Sequence, residues 1–287
     1  MILLDYNALE EIALGAAVLG TGGGGDPTLG KLMAQQAVAK HGPVQLLPLD
    51  DVPDDEWIIP TAMMGAPTVL VEKIPSGTEV LDAYRMLERR LQCRAAATVS
   101  AEAGGVNSMI PMVVATTLGV PLVDADGMGR AFPEIQMVTP TLHGVSATPM
   151  AIADEKGNQV LLETPDNFWT ERLARTATIQ MGCSSCVALY AMRGRVAKKA
   201  LVPGTISLAR AIGHTLRTVC DNERWLASCE PSVPSAGLRR GPQPAPRSPW
   251  SGWCTARHHV RRSAGSQLAP QPRLRRTQYL ERGRGAG

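Results

Sequence analysis

Three short stretches of the 287-residue chain carry residue types that can do chemistry: LGTGGGGDP at 19–27, SAEAGGVNS at 100–108 and VDADGMGRAFPE at 123–134. The first offers the bare backbone amides of Gly22, Gly23, Gly24 and Gly25. The second sets Glu102 beside Gly104, Gly105 and Asn107, and the third joins Asp124 and Asp126 to Gly127, Gly129 and Arg130. Amides without side chains around them form a concave run that a flat ligand or another backbone can approach closely. They also donate to charge that develops during a reaction. A carboxyl becomes a general base near neutral pH when burial and a like charge raise its pKa, and Glu102, Asp124 and Asp126 are the candidates. Each feature has a plainer use too. The acids can cap or close turns, Asp126-Gly127 is an ordinary turn pair, and Arg130 can pair with Glu134. The glycine run can be a tight turn, although each glycine costs roughly 0.5–1 kcal/mol relative to alanine in ordered elements.

These stretches must be positioned by regular elements. Asn7 and Glu10 read as a capping pair for a helix with Leu9, Ile12, Ala13, Ala16 and Leu19 at helical spacing, closed by Gly20. Asp26 caps a second helix, with Pro27 at its first position, that stops at His41-Gly42-Pro43. VQLLPL and WIIPTAMM read as strands, followed by a helix over about 78–91, the strand AAATVS, a helix over about 107–118 and the strand PLVDAD. This alternation predicts an α/β fold with a largely parallel sheet flanked by helices. Glu102, Asp124 and Asp126 then fall at strand ends, where open α/β sheets bind ligands. Beyond Pro140 the rhythm changes. PMAIAD and QVLLE flank a hairpin turn, and a helix over about 167–180, the strand CVALYAM and a Thr205-capped helix to about 218 follow. The expected layout is an α/β domain over 1–165, a remnant or start of a second, β-rich domain over 166–220, and a low-complexity tail over 221–287.

Several readings fail on the same residues. A dinucleotide or phosphate loop needs a strand before the glycines or Lys-Ser/Thr after them, whereas a helix precedes Gly22 and Asp26 would repel phosphate. A divalent ion on Glu102, Asp124, Asp126 and His143 is the rival to metal-free chemistry, without any HxH or HExxH spacing. No other cofactor is expected. Cys183 and Cys186 are half a zinc site at most, and read as two inert thiols. His143 and His214 read as packing residues, and Met63 and Met64 as core filler. Six scattered cysteines, no apolar run long enough to span a bilayer and no secretory leader predict reduced thiols in a cytoplasmic protein. The formal net charge of +3 hides an asymmetry. Residues 229–287 hold 11 arginines, no lysine and two acids, a net of +9, which leaves 18 basic and 24 acidic residues, a net of −6, over 1–228. The Arg/Pro/Ser/Ala/Gly tail has the composition of a GC-rich gene read out of frame or of a disordered arm, so neither nucleic acid nor membrane is an expected partner.

In this combination and order, LGTGGGGDP, SAEAGGVNS and VDADGMGRAFPEIQM resemble the N-terminal domain of the S-methyl thiohydantoin desulfurase family, over about residues 5–220. The resemblance implies an α/β domain followed by a smaller β-rich one, and hydrolytic removal of sulfur from an S-methylated thiohydantoin ring to give a hydantoin. It also implies a small-molecule substrate and a hydantoinase/oxoprolinase-type partner protein, and leaves a homo-oligomer open. For that chemistry Gly22–Gly25 and Gly104–Gly105 would be amide donors to the ring. Glu102, Asp124 or Asp126 would be the base, and Asn107 and Arg130 would orient the ring carbonyl. After about Cys220 the likeness stops, which implies a truncated or frame-shifted second domain. A non-catalytic partner subunit and an inactive product are the alternatives.

Overall fold

The computed structural model describes residues 1–220; the expectations for the 221–287 tail, with Cys229 and Cys254, lie outside the described residues. The first half runs β1 (Ile2–Leu4), α1 (Tyr6–Gly20), α2 (Pro27–His41), β2 (Val44–Pro48), β3 (Trp57–Gly65), α3 (Pro67–Glu72), α4 (Glu79–Leu91), β4 (Ala97–Ser100), α5 (Ile110–Leu118) and β5 (Leu122–Asp126). The second half adds α6 (Thr139–Leu142), β6 (Met150–Ala153), β7 (Gln159–Leu162), α7 (Asn167–Gln180), β8 (Ser184–Ala188), β9 (Met192–Arg193), α8 (Gly194–Ala200), β10 (Val202–Pro203) and α9 (Thr205–Cys220).

All the strands join one sheet in the order β1-β2-β5-β4-β3-β8-β6-β7, with β9 on β3 and β10 on β5. Its centre, β2-β5-β4-β3, is parallel. The remaining pairings are antiparallel, so the sheet as a whole is mixed. The 150–162 hairpin is an antiparallel extension of this sheet. Residues 166–220, expected to be a remnant or start of a second domain, send β8 between β3 and β6 of the same sheet. The reason is visible in the strands themselves: Ser184–Ala188 is buried at every position, as a strand between two others and two helical layers must be.

Successive residues of the central strands point into different cores. Ile58 and Val123 pack with α7, α8 and the loop after β5, while Ile59 packs with α4 and α5, and Leu122 with α1 and α5. Helix α9 closes on α1 through glycines. A Cβ on Gly15 would lie 1.7 Å from the Ala209 carbonyl oxygen, and one on Gly213 would lie 1.8 Å from that of Glu11. Glu11 accepts from Arg210 and His214 across the same contact. His214 is therefore an interface residue rather than a buried packing one.

Helix starts differ from the sequence reading where tertiary contacts compete. The cap of α1 is Asp5, which accepts from the Ala8 amide at 2.9 Å, rather than Asn7, because β1 delivers the chain to Asp5. Asp26 caps α2 as expected, accepting from Thr28 at 2.7 Å. Helix α5 begins at Ile110 rather than near Asn107, since Asn107 and Ser108 are spent on loop contacts. The short helices α3, α6 and α8 have too few turns for a hydrophobic period to register.

Candidate active site

Strands β4 and β5 lie side by side, with Ser100 opposite Asp126. Their C-terminal ends therefore deliver Glu102 and Asp126 to one place. Glu102 is 4% exposed. One carboxyl oxygen accepts from the Asn107 side-chain amide and the other from the Phe132 N–H at 2.7 Å. Burial pushes Glu102 up to about 7, against the pull of Asn107 and Phe132 and with a further push from the Asp126 charge. Asp126 is fully buried, and its two oxygens accept the Gly129 N–H at 2.7 and 3.0 Å. Burial raises it to about 6, opposed by the Gly129, Met128 and Ala103 amides. The buried Thr205 hydroxyl lies beside Asp126 but outside hydrogen-bond geometry.

Asn107 holds this centre to the neighbouring strand. Its side-chain oxygen accepts the Met63 N–H at 2.7 Å, and its nitrogen donates both to the Met63 carbonyl at 3.3 Å and to Glu102. Both amide hydrogens are used, so Asn107 positions Glu102 and has no donor left for a substrate carbonyl. Ser100 ties the loop underneath, donating to the carbonyls of Glu102 and Asn107.

The glycine run approaches another backbone. A Cβ on Gly24 would meet the Gly104 Cα at 2.4 Å, and one on Gly105 would meet the Gly25 carbonyl oxygen at 2.2 Å. A Cβ on Gly23 would lie 2.7 Å from that of Ala131, the residue before Phe132. The Gly24 carbonyl accepts from Val106 and Asn107 at 2.7 and 3.3 Å, in the turn that leads into α5. Gly23 donates to Gly20, while among the described residues the N–H groups of Gly22, Gly24 and Gly25 meet no protein acceptor. All three sequence stretches therefore converge, and Gly23, Glu102 and Asp126 belong to one cluster.

Other expected site residues go elsewhere. Asp124 turns to α9: it accepts from Ile206 and Ser207 amides at 3.0 Å each and from the Ser207 hydroxyl. It is the N-terminal cap of the helix that begins at Thr205 rather than a candidate base, because Gly204 before that helix has no side chain to cap with. Asp124→Ala should lower stability by about 1–2 kcal/mol with little change at Glu102, as read by urea unfolding; an unchanged midpoint would refute the cap. Arg130 is exposed, donates to the Ala131 carbonyl and makes no ion pair with Glu134 among the described residues. His143 is exposed at the end of α6. Among the described residues no three of His, Cys, Asp and Glu are placed to hold a metal ion, so Glu102, Asp124, Asp126 and His143 do not form one ligand set.

Cys183 and Cys186 are free. Cys183 precedes β8 and Cys186 is buried within it. Three residues of extended chain span roughly 10 Å, beyond disulfide reach. The Phe132 amide and the Met63 backbone are the functional contacts that residue types could not reveal, because both are main-chain groups. Among the described residues no helix is long and apolar enough to cross a membrane.

A crystal structure of a protein from Chromobacterium violaceum is similar at a TM-score of 0.66 and 28% identity, covering 76% of this chain. This chain spans 62% of that one, less than two thirds of its length. No curated protein matches. The model of the S-Me-THD-like C-terminal domain matches residues 165–238, past the point near 220 where the likeness was expected to stop. The model of the S-Me-THD-like N-terminal domain matches residues 7–164, which include every residue of the glycine and carboxylate cluster, and the chain belongs to the S-Me-THD-like family.

Proposed function

We propose that the chain hydrolyses the carbon–sulfur bond of an S-methylated thiohydantoin ring, with Glu102 as general base. The observation that carries this reading is a buried carboxyl raised to about 7 where three glycine-bearing loops meet. At neutral pH such a group is divided between its two protonation states, which suits a base that must also return its proton. Water adds to the ring carbon that bears sulfur, and Glu102 takes one proton from it. The carbon–sulfur bond breaks, and methanethiolate leaves with the proton that Glu102 returns. The second water proton passes to the ring nitrogen as the new carbonyl forms, giving the hydantoin and methanethiol. The unsatisfied amides of Gly22, Gly24 and Gly25 stabilise negative charge on the ring during addition. Substrate reaches Glu102 when the Ala131–Phe132 segment lifts and the Phe132 N–H leaves the carboxyl.

The experiment is methanethiol release from an S-methyl thiohydantoin by the purified chain, followed with a thiol-reactive chromophore. Release above the uncatalysed rate is expected, and none at any pH from 6 to about 8, the window set by a base titrating near neutral, would refute the reading. One observation favours a second role. Both Glu102 oxygens already have protein donors and almost no exposure, as in a carboxylate that only organises loops. A non-catalytic subunit of a hydantoinase/oxoprolinase-type enzyme would then release methanethiol only with its partner present. The free thiols Cys93, Cys183 and Cys186 support placing either activity in the reducing cytoplasm.

A further inference from the structure

The loop from β5 to α6 covers Glu102 and is tied down unevenly. At its start the Gly129 N–H is held by both Asp126 oxygens, at 2.7 and 3.0 Å. Further on, helix α7 holds Pro133 and Ile135. One Glu171 oxygen accepts the Ile135 N–H at 2.9 Å, and Arg175 donates to the Pro133 carbonyl at 3.1 Å. Glu171 and Arg175 lie one helical turn apart and pair with each other at 2.6 Å, so the two grips act as one clamp. The Tyr190 hydroxyl donates to the Ile135 carbonyl at 3.0 Å and steadies the same end.

Residues 130–132 hang between these ties. Arg130 donates only to its neighbour Ala131. Among the described residues, the Phe132 N–H on Glu102, at 2.7 Å, is the one hydrogen bond from this segment to the rest of the protein. The Phe132 ring is half-buried against the core. Gly129 is the hinge: its φ is +77°, and a Cβ there would meet only the Val202 Cγ1, at 3.6 Å. At the other end Phe132 is joined directly to Pro133, whose ring fixes φ and whose carbonyl Arg175 holds. The grip of α7 therefore reaches the amide on Glu102 through a single residue.

We infer that Glu171 and Arg175 are positioning residues: their clamp on Pro133 and Ile135 keeps the Phe132 amide on Glu102, and so sets how often that carboxyl is open to substrate. This deepens the desulfurase reading, and its kinetic consequence rests on that reading. A ligand that binds only an open form has an apparent affinity reduced by the fraction of protein that is open. Loosening the clamp therefore strengthens substrate binding while leaving Glu102 and its partner Asn107 untouched.

The test is amide hydrogen exchange, read by NMR on the full chain, in Arg175→Met. That change keeps most of the stem of a partly exposed side chain and removes its donors. Exchange of the Phe132 N–H should speed up at least roughly tenfold, with the Gly129 N–H unchanged. With an S-methyl thiohydantoin as substrate, KM should fall by the factor that exchange rises while kcat holds; a merely structural defect would raise KM or lower kcat. Glu171→Gln keeps an acceptor for Ile135 but removes the charge that orients Arg175. It should move both readouts in the same direction, and it decides the matter if Arg175→Met fails to fold. Unchanged exchange at Phe132, equal acceleration at Gly129, or a KM that rises would overturn the clamp. A wild type without methanethiol release would refute the desulfurase reading alone, and the exchange rates would still decide the clamp.

Discussion

Gly24→Ala should cost roughly 3 kcal/mol or more, whereas Gly22→Ala should cost about 1 kcal/mol. The two glycines are two residues apart and both have left-handed backbone, φ +73° at Gly24 and +91° at Gly22. Any L residue at either position meets the same local strain. The difference lies across space. A Cβ on Gly22 meets nothing within 4 Å, while one on Gly24 meets the Gly104 Cα at 2.4 Å and the Gly105 nitrogen at 3.2 Å. Those atoms are main chain and cannot rotate aside, so the two loops must separate. The Gly24 carbonyl then leaves the Val106 and Asn107 amides, and the Asn107 clamp on Glu102 loosens with it. For a protein of this size the Gly24 variant should melt roughly 6–12 °C lower. Calorimetry on both variants checks this; equal losses at the two positions would mean that the run is only a turn.

Glu102→Gln should remove methanethiol release by about 10²–10⁴-fold and flatten the dependence of stability on pH. Glu102 titrates at about 7 in the folded protein against an ordinary value of 4.5, and Asp126 at about 6 against 3.8. Between these values the folded state holds protons that the unfolded chain has released. The contribution of each group is thus fully present below its unfolded pKa and is lost as pH rises through its folded pKa. For Glu102 the loss is roughly 3 kcal/mol between about pH 4.5 and 8. Glu11 works in the opposite sense. The His214 hydrogen bond, helped by Arg210, holds its carboxyl below the ordinary value, so its contribution is present above that value and lost as pH falls below it. Stability should therefore peak at about pH 4 and decline toward pH 8, and the decline should be roughly 3 kcal/mol shallower in Glu102→Gln. Catalysis should run the other way in the wild type, rising through about pH 7 as the base ionises. Urea titrations at several pH values check the first claim, and a slope unchanged in Glu102→Gln would remove Glu102 from both.

Much of the fold was legible along the chain because its signals are local. Helix α2 announces itself with Asp26-Pro27, α4 with an apolar stripe through Val80, Tyr84 and Leu87, and α7 with the bounds Asn167–Gln180. The hairpin over 150–162 was legible, but the place of β8 between β3 and β6 was not, since a five-residue apolar run does not say which neighbour it joins. Nor was the assignment of roles among the acids.

By itself, the sequence determined the α/β class, most helices, and the three glycine-bearing loops that meet in the fold, because periodicity, caps and glycine runs act within a turn or two of the chain. Only the tertiary structure decided what those loop residues do. Asp124 and Asp126 are two positions apart on β5, yet one caps a helix that begins at Thr205 and the other is sealed beside Glu102. Gly24 and Gly25 face Gly104 and Gly105, some 80 residues on, rather than open solvent. The physical reason is that burial sets a carboxyl's protonation and a glycine's necessity, and burial is made by segments distant in sequence.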